Sequence, residues 1–372
     1  MNIEILAMSA FFVIVGILLW IDRKNVQFSF GIIIRRWKRG LEFIDTLIKK
    51  YPKAIKITGY TAVVIGFLVC IGGFLGLFVS DILGIKLFGM VLPTAGGYEY
   101  PGPIVGVPFW YWIIAIFIIL FVHETMHGVF SRAAKVPIKN YGIMLLLLLP
   151  IGAFVEPDMK KVKKLKIREK LQIFAAGSFA NFVTAFVCFL LVLLFSLLIL
   201  IPTVKPYIIE PYGVFVNETM VGYPAHDVNL TGFITSANGI QIKTSEDLSN
   251  VLNNTNVGDE ITIITTDSNY TMKTVPRPDN QTESFIGISS GKTFYTYSGW
   301  SATLLNLFGW LIALNVGIGI ANLLPWKPFD GGLMIEEVFV KTFKKKGKII
   351  TKILTFIVLA LILYNLFGIK QL

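Results

Sequence analysis

Histidine is scarce in this chain, with three among 372 residues, at positions 123, 127 and 226. Two of them belong to His123-Glu124-Thr125-Met126-His127. On an α-helix, positions i and i+4 share a face, so both imidazoles can approach one ion from the same side. Two histidines at that spacing suit Zn²⁺, and Glu124, next to the first of them, is placed to take a proton from water as a general base. A zinc ion that does chemistry takes a third protein ligand and keeps one position open. The best candidate is Asp330, in Asn322-Leu323-Leu324-Pro325-Trp326-Lys327-Pro328-Phe329-Asp330-Gly331-Gly332, with Glu156 and Asp158 as competitors. The two prolines and two glycines around Asp330 argue against regular helix there, as a bent, ligand-presenting segment requires.

The elements that position these residues are apolar. The chain is 54% hydrophobic and 15% charged, with a mean hydropathy of +0.69. Soluble domains carry roughly a quarter charged residues, so an ordinary soluble enzyme and a disordered chain are both excluded. The net charge of +11 does not indicate nucleic acid, because the basic residues cluster beside apolar runs, the pattern of membrane topology. Cys70 and Cys188 lie inside apolar runs and form neither a disulfide framework nor a thiolate metal site.

A membrane-spanning helix needs about 20 apolar residues. Five stretches qualify, 3–21, 57–80, 109–131, 172–201 and 349–368, and a sixth, 299–324, is less apolar and carries Asn306 and Asn315. The first is read as an uncleaved anchor, since Glu4 precedes it and Arg23 and Lys24 follow it, the reverse of a signal peptide. Lys and Arg number ten in 22–56, one in 81–108, ten in 132–170 and six in 325–348, while 202–298 holds five against ten Asp and Glu. Placing the rich loops in the cytoplasm predicts six crossings with both ends outside. His123 then lies roughly 21 Å into its span at 1.5 Å per residue, within the bilayer and nearer the cytoplasmic face. An ionisable group at that depth is costly and points to function. The apolar segment 141–155, flanked by basic loops, is too short to cross and is expected to dip into the membrane and return.

Residues 203–295 differ in composition, with frequent Asn, Thr, Asp and Gly, and are read as a small external α/β domain. Five Asn-x-Thr sequons begin there, at Asn217, Asn229, Asn253, Asn269 and Asn280. The segment resembles a PDZ domain of the kind attached to membrane proteases. The matching residues are Gly213-Val214-Phe215-Val216, Tyr223-Pro224-Ala225, Gly232-Phe233-Ile234, Asn238-Gly239, Ser245-Glu246-Asp247-Leu248 and Val257-Gly258-Asp259-Glu260. In physical terms these are an edge strand, a turn, an Asn-Gly hairpin and a capped helix.

HExxH in one span, an external PDZ-like insert and Asn-x-x-Pro…Asp-Gly after a later span together resemble the site-2 protease family over roughly 109–335. The resemblance implies an intramembrane zinc metalloprotease with His123, His127 and Asp330 as metal ligands and Glu124 as catalytic base. It also implies a re-entrant β-like hairpin at 141–155. Gly177-Ser178-Phe179-Ala180-Asn181 matches a further family motif, with Ser178 where proline is common. Asn181 and Asn322 could then hold substrate backbone or stabilise an oxyanion, or serve as contacts between helices.

The expected architecture is a polytopic α-helical membrane protein of about six spans with a re-entrant segment and an inserted external PDZ-like α/β domain. Its regions are a two-helix N-terminal part (1–108), a first part of the catalytic core (109–202), the insert (203–295), a second part of the core (296–335) and a final span (336–372). The expected partners are transmembrane protein substrates and the lipid bilayer, with no nucleic acid. The rival readings are a transporter with a regulatory external domain, which would suit broken helices, and an inactive zinc-binding PDZ scaffold. No internal inverted repeat supports the first, and an intact Glu124 argues against the second.

Overall fold

The computed structural model describes residues 3–29, 31–38, 41–95 and 98–368; Arg39, one of the ten basic residues of the first loop, lies outside them. The chain forms two compact units, one of Met1–Val192 with Asn306–Leu372, the other of Leu193–Leu305.

The first unit opens with α1 (Ile3–Ile21), β1 (Val26–Ser29), β2 (Ile32–Trp37), α2 (Leu41–Lys50) and α3 (Pro52–Leu83). It continues through the short parallel pair β3 (Met90–Thr94) and β4 (Ile104–Pro108) to α4 (Phe109–Ala133). Then come β5 (Ile138–Leu146), β6 (Leu149–Pro157), α5 (Met159–Lys164) and α6 (Ile167–Leu197). Among the described residues, five helical stretches are long and apolar enough to cross a membrane: Pro52–Leu83, Phe109–Ala133, Ile167–Leu200, Gly299–Leu323 and Lys345–Gly368. The apolar stretch of α1, Ile5–Ile21, is shorter. Outward-facing side chains such as Leu68, Ile71, Phe117 and Phe121 are mostly exposed, as expected where lipid is the solvent. The buried stripe of α3 includes Gly59, Ala62, Gly66 and Cys70, small residues that let neighbouring helices approach closely.

Strands β1, β2, β5 and β6 form one antiparallel sheet in that order. The segment expected to dip and return is therefore the β5–β6 hairpin, longer at both ends than 141–155. It turns at Leu147 and Leu148, both with positive φ, where Asn and Gly are the usual residues. β5 is paired on both sides and β6 on one, so β6 is an edge strand.

The second unit begins with the end of α6 and contains α7 (Lys205–Ile208), β7 (Ile209–Thr219), α8 (Pro224–Asp227), β8 (Phe233–Ala237) and β9 (Ile240–Gln241). It continues with α9 (Ser245–Asn253), β10 (Glu260–Thr265), β11 (Asn269–Lys273), β12 (Val275–Pro276), β13 (Ser284–Phe285) and β14 (Ile288–Tyr297). The main sheet runs β11-β10-β8-β7-β14, with β9 paired to β8. Val214, Ile234, Ile242, Ile261, Ile263 and Ile286 fill its core. The expected edge strand at Gly213–Val216 is corrected: it lies in β7, between β8 and β14, because residues 288–297 pair along almost its whole length. The Asn-Gly turn stands as read, with Asn238 and Gly239 at positive φ between β8 and β9.

The chain returns through α10 (Gly299–Leu323) to α11 (Asp330–Phe343) and α12 (Lys345–Leu363). Pro325 and Pro328 fall in the break between α10 and α11, but Gly331 and Gly332 do not: they lie in the first turn of α11. A Cβ on either would strike backbone, that of Leu323 for Gly331 and of Trp326 for Gly332. These glycines serve close approach, and that approach seats Asp330 at the start of α11.

Candidate metal centre

His123 and His127 lie one turn apart on α4, and Asp330 meets them from the first turn of α11. One ligand atom from each of the three lies within 4.8 Å of the others. Nε2 of His123 and Nε2 of His127 are 3.1 Å apart. The Asp330 carboxylate reaches both, with Oδ2 3.4 Å from His123 Nε2 and Oδ1 3.5 Å from His127 Nε2. A tetrahedral zinc with bonds of about 2.0–2.1 Å holds its ligand atoms about 3.3 Å apart. The three donors are thus spaced as zinc ligands are, and their N/N/O chemistry suits that ion. His123 and Asp330 are both under a tenth exposed, so an ion would offset the cost of keeping this polar cluster out of water.

The groups behind the ligands set which atoms face the ion. His127 Nδ1 lies 2.7 Å from the Ile173 carbonyl of α6; a proton on Nδ1 donates to it and leaves the Nε2 lone pair free. The Asn181 amide lies 3.2 Å from His123 Nδ1 through Nδ2, and its buried Oδ1 has no partner. A half-turn of that amide makes Oδ1 the acceptor of the Nδ1 proton and frees His123 Nε2 in the same way. Ser178 Oγ donates to Asp330 Oδ2 at 3.1 Å. Ile173, Gly177, Ser178 and Asn181 form one stripe of α6 at helical spacing. Gly177 leaves the imidazoles their room, because a Cβ there would press on His127 Nε2 and come within 2.7 Å of His123 Nε2.

Glu124 is beside the ligands but does not join them. Its Oε2 accepts the Val155 N–H of β6 at 3.0 Å, which ties the HExxH helix to the edge strand. The two competitors for third ligand are engaged elsewhere. Glu156 bonds Arg36 at 3.1 Å and Asn140 at 2.8 Å, and Asp158 caps α5 through Lys160 N and Lys161 N. Asn322 is half-buried near the end of α10, with no side-chain partner among the described residues. His226, in the second unit, pairs with Thr219 Oγ1.

Sequence reasoning did not assign roles to Ile173 and Ser178. A backbone carbonyl leaves no trace in the residue type. Ser178 was legible only as a serine in the Gly177–Asn181 motif.

Span-length apolar helices and two histidines with an aspartate drawn together beside a glutamate define a membrane-embedded metallohydrolase arrangement. Residues 111–365 match Peptidase family M50. The chain belongs to that family, the site-2 protease family of zinc-dependent metallopeptidases. It is also 30% identical over 360 residues to the uncharacterized protein MJ0971 of Methanocaldococcus jannaschii, an alignment covering 91% of this chain and 88% of the relative.

Proposed function

We propose that this protein is an intramembrane zinc metalloendopeptidase that cleaves membrane-spanning segments of other proteins. The observation that carries the reading is the convergence of His123, His127 and Asp330, with Glu124 adjacent, on a helix long enough to span a bilayer. When bound, zinc supplies Lewis-acid polarisation of a peptide carbonyl and makes water nucleophilic near neutral pH.

The chain's own residues do the rest. His123, His127 and Asp330 hold the ion, with Ile173 and Asn181 orienting the imidazoles and Ser178 the carboxylate. Glu124 takes the proton of the attacking water and delivers it to the leaving amine. A helical substrate hides its carbonyls in its own hydrogen bonds and must unwind locally before attack. Of the β5–β6 hairpin, Met144–Ala153 is the part that would hold it extended, and β6 carries the free edge. A substrate adding there as a strand lies beside Glu124. Asn322, half-buried and without a side-chain partner among the described residues, would contact substrate; Asn181 acts through His123.

Six crossings, α1 included, would place the second unit outside and the metal within the bilayer nearer the cytoplasm. The strand order around Asn238-Gly239 and α9 supports a PDZ-like module in that unit. The test uses purified full chain with a single-pass membrane substrate. Wild type should cleave and stop on chelation, while Glu124→Gln should lose about 10²–10⁴-fold in kcat and keep its zinc. Equal cleavage by both would end the reading.

A further inference from the structure

Beside Glu124 lies a cavity of about 500 Å³, enclosed by the β5–β6 hairpin, Trp37 of β2, and helices α2 and α4. Its wall carries one carboxylate, Glu124, and is otherwise almost wholly apolar or aromatic, with Trp37, Phe117, Phe121 and Tyr141 prominent. Nothing in the hydrolytic centre requires such a space. Part of it is built by Trp37, Phe43 and Ile44, which precede the first residue matched to the family. Its volume falls within the roughly 300–1,000 Å³ of pockets that enclose small ligands, enough for an aromatic ring.

The sheet geometry says what would enter it. Ile143 pairs with Ala153 and Tyr141 with Val155 across β5 and β6. Tyr141, Ile143 and Ala153 therefore share one face of the sheet, and all three line the cavity, which Gly142 and Phe154 of the alternate positions also touch. Val155 donates its N–H to Glu124, away from β5. By the alternation of an antiparallel ladder, Ala153, two residues earlier, also turns its N–H and C=O to the free edge. A chain that adds to this edge sends successive side chains to opposite faces. The residue opposite Ala153 points into the cavity, and its immediate neighbours point away.

We propose, resting on the protease reading above, that this cavity is the specificity pocket of the enzyme. It receives one bulky apolar side chain (Phe or Leu) from the substrate residue that pairs opposite Ala153 on β6. The occupant is a substrate side chain and not a lipid acyl chain, because the space opens beside both the proton acceptor and the strand edge that would hold the scissile segment.

The experiment uses full-length, zinc-loaded protein in detergent and a Leu/Ala-rich single-pass peptide. Each residue near its cleavage site is varied through Ala, Leu, Phe, Trp and Asp. Wild type should prefer Phe or Leu over Ala at one position by about tenfold or more in kcat/KM, the scale of one apolar side chain in a pocket. Ala153→Phe, which fills the cavity, should remove or reverse that preference, and Phe121→Ala, which enlarges it, should extend it to Trp. A preference profile that both variants leave unchanged, with cleavage still running, overturns the proposal and leaves the cavity to lipid. No cleavage by wild type would fail the protease reading instead, and a second measurement then decides the pocket. A benzoyl-phenylalanine photo-crosslinker scanned along the peptide on Glu124→Gln protein should label residues 37–44 or 117–121 from alternate positions. Labelling without that alternation, or none of these residues labelled, also overturns it.

Discussion

The two units of this chain solve opposite solvation problems. The strand-rich unit puts Val214, Ile234, Ile261 and Ile263 in its centre and leaves all five sequon asparagines exposed. The helical unit leaves Leu68, Ile71 and Phe117 facing outward and holds inside it, besides apolar side chains, the imidazole, carboxylate, hydroxyl and amide groups gathered around His123 and Asp330. In the first, removing a buried isoleucine leaves a cavity and costs stability. In the second, the buried polar groups are expensive to hold, and that cost marks where the chemistry is. A polar residue therefore means different things in the two units, and substitutions can test the distinction.

The largest expected effect is at Asp330. If the polar cluster exists to bind an ion, Asp330→Ala leaves two imidazoles unable to complete the site, and stoichiometric zinc and all cleavage should disappear together. Metal analysis of purified protein reads the first, and the membrane-substrate assay the second. Zinc retained at full occupancy, with turnover intact, would sink the assignment. Asp227, an acidic residue of the other unit, is the control: Asp227→Ala should leave both readouts where they were.

How far the site could be read in advance follows the same division. His123, Glu124 and His127 are legible because helical spacing and side-chain chemistry coincide in five residues. Asp330 needs a fold to bring it some 200 residues back to α4 (203 from His127), and only its prolines and glycines hinted at a presenting segment. The prolines do break the helix, whereas the glycines allow close packing of a new one. Strands β1 and β2 were hidden in a stretch read by its charge alone, although Ile32-Ile33-Ile34 is β-branched. The β5–β6 turn was hidden for a related reason. Leu147 and Leu148 take left-handed conformations that cost roughly 1–2 kcal/mol per non-glycine residue, so no Asn-Gly signal marks the turn. In the other unit Asn238-Gly239 announces its hairpin directly. Register was the weak point there, since nothing in Gly213–Val216 itself shows that β14 will cover it.

Gly177 offers a sharper and smaller test, because two effects of one methyl group oppose each other. Helix propensity alone favours Ala over Gly by about 1 kcal/mol in a helix interior. The Cβ of Gly177→Ala, however, falls against the ligating nitrogens of both histidines. Zinc affinity, measured by chelator competition, should fall by about 10–100-fold, the usual scale for disturbing the groups around a metal ligand, while α6 becomes no less stable. Unchanged affinity would mean that the imidazoles have more room than their 3.1 Å separation indicates.

The smallest effect belongs to the strand-rich unit, where a polar group acts locally. Thr244 and Asp247 form a capping box at the start of α9: Thr244 Oγ1 accepts from Asp247 N at 3.1 Å, and Asp247 Oδ2 accepts from Thr244 N at 2.8 Å. The Thr244 and Lys243 N–H groups, both donating to Oδ2, hold the Asp247 carboxyl below its ordinary value of 3.8. A depressed carboxylate contributes stability that is fully present above its unfolded pKa and is lost as pH falls through the folded one. The contribution of Asp247 should therefore be intact at neutral pH and fade only below about pH 4. Thr244→Ala removes the cap for about 1 kcal/mol, or about fivefold in the protection of α9 amides by hydrogen exchange in the full chain. Asp247→Asn should remove the acid-dependent part of that protection. Neither change should alter zinc content, because in this unit a capping side chain stabilises the turn it touches and has no ion to hold.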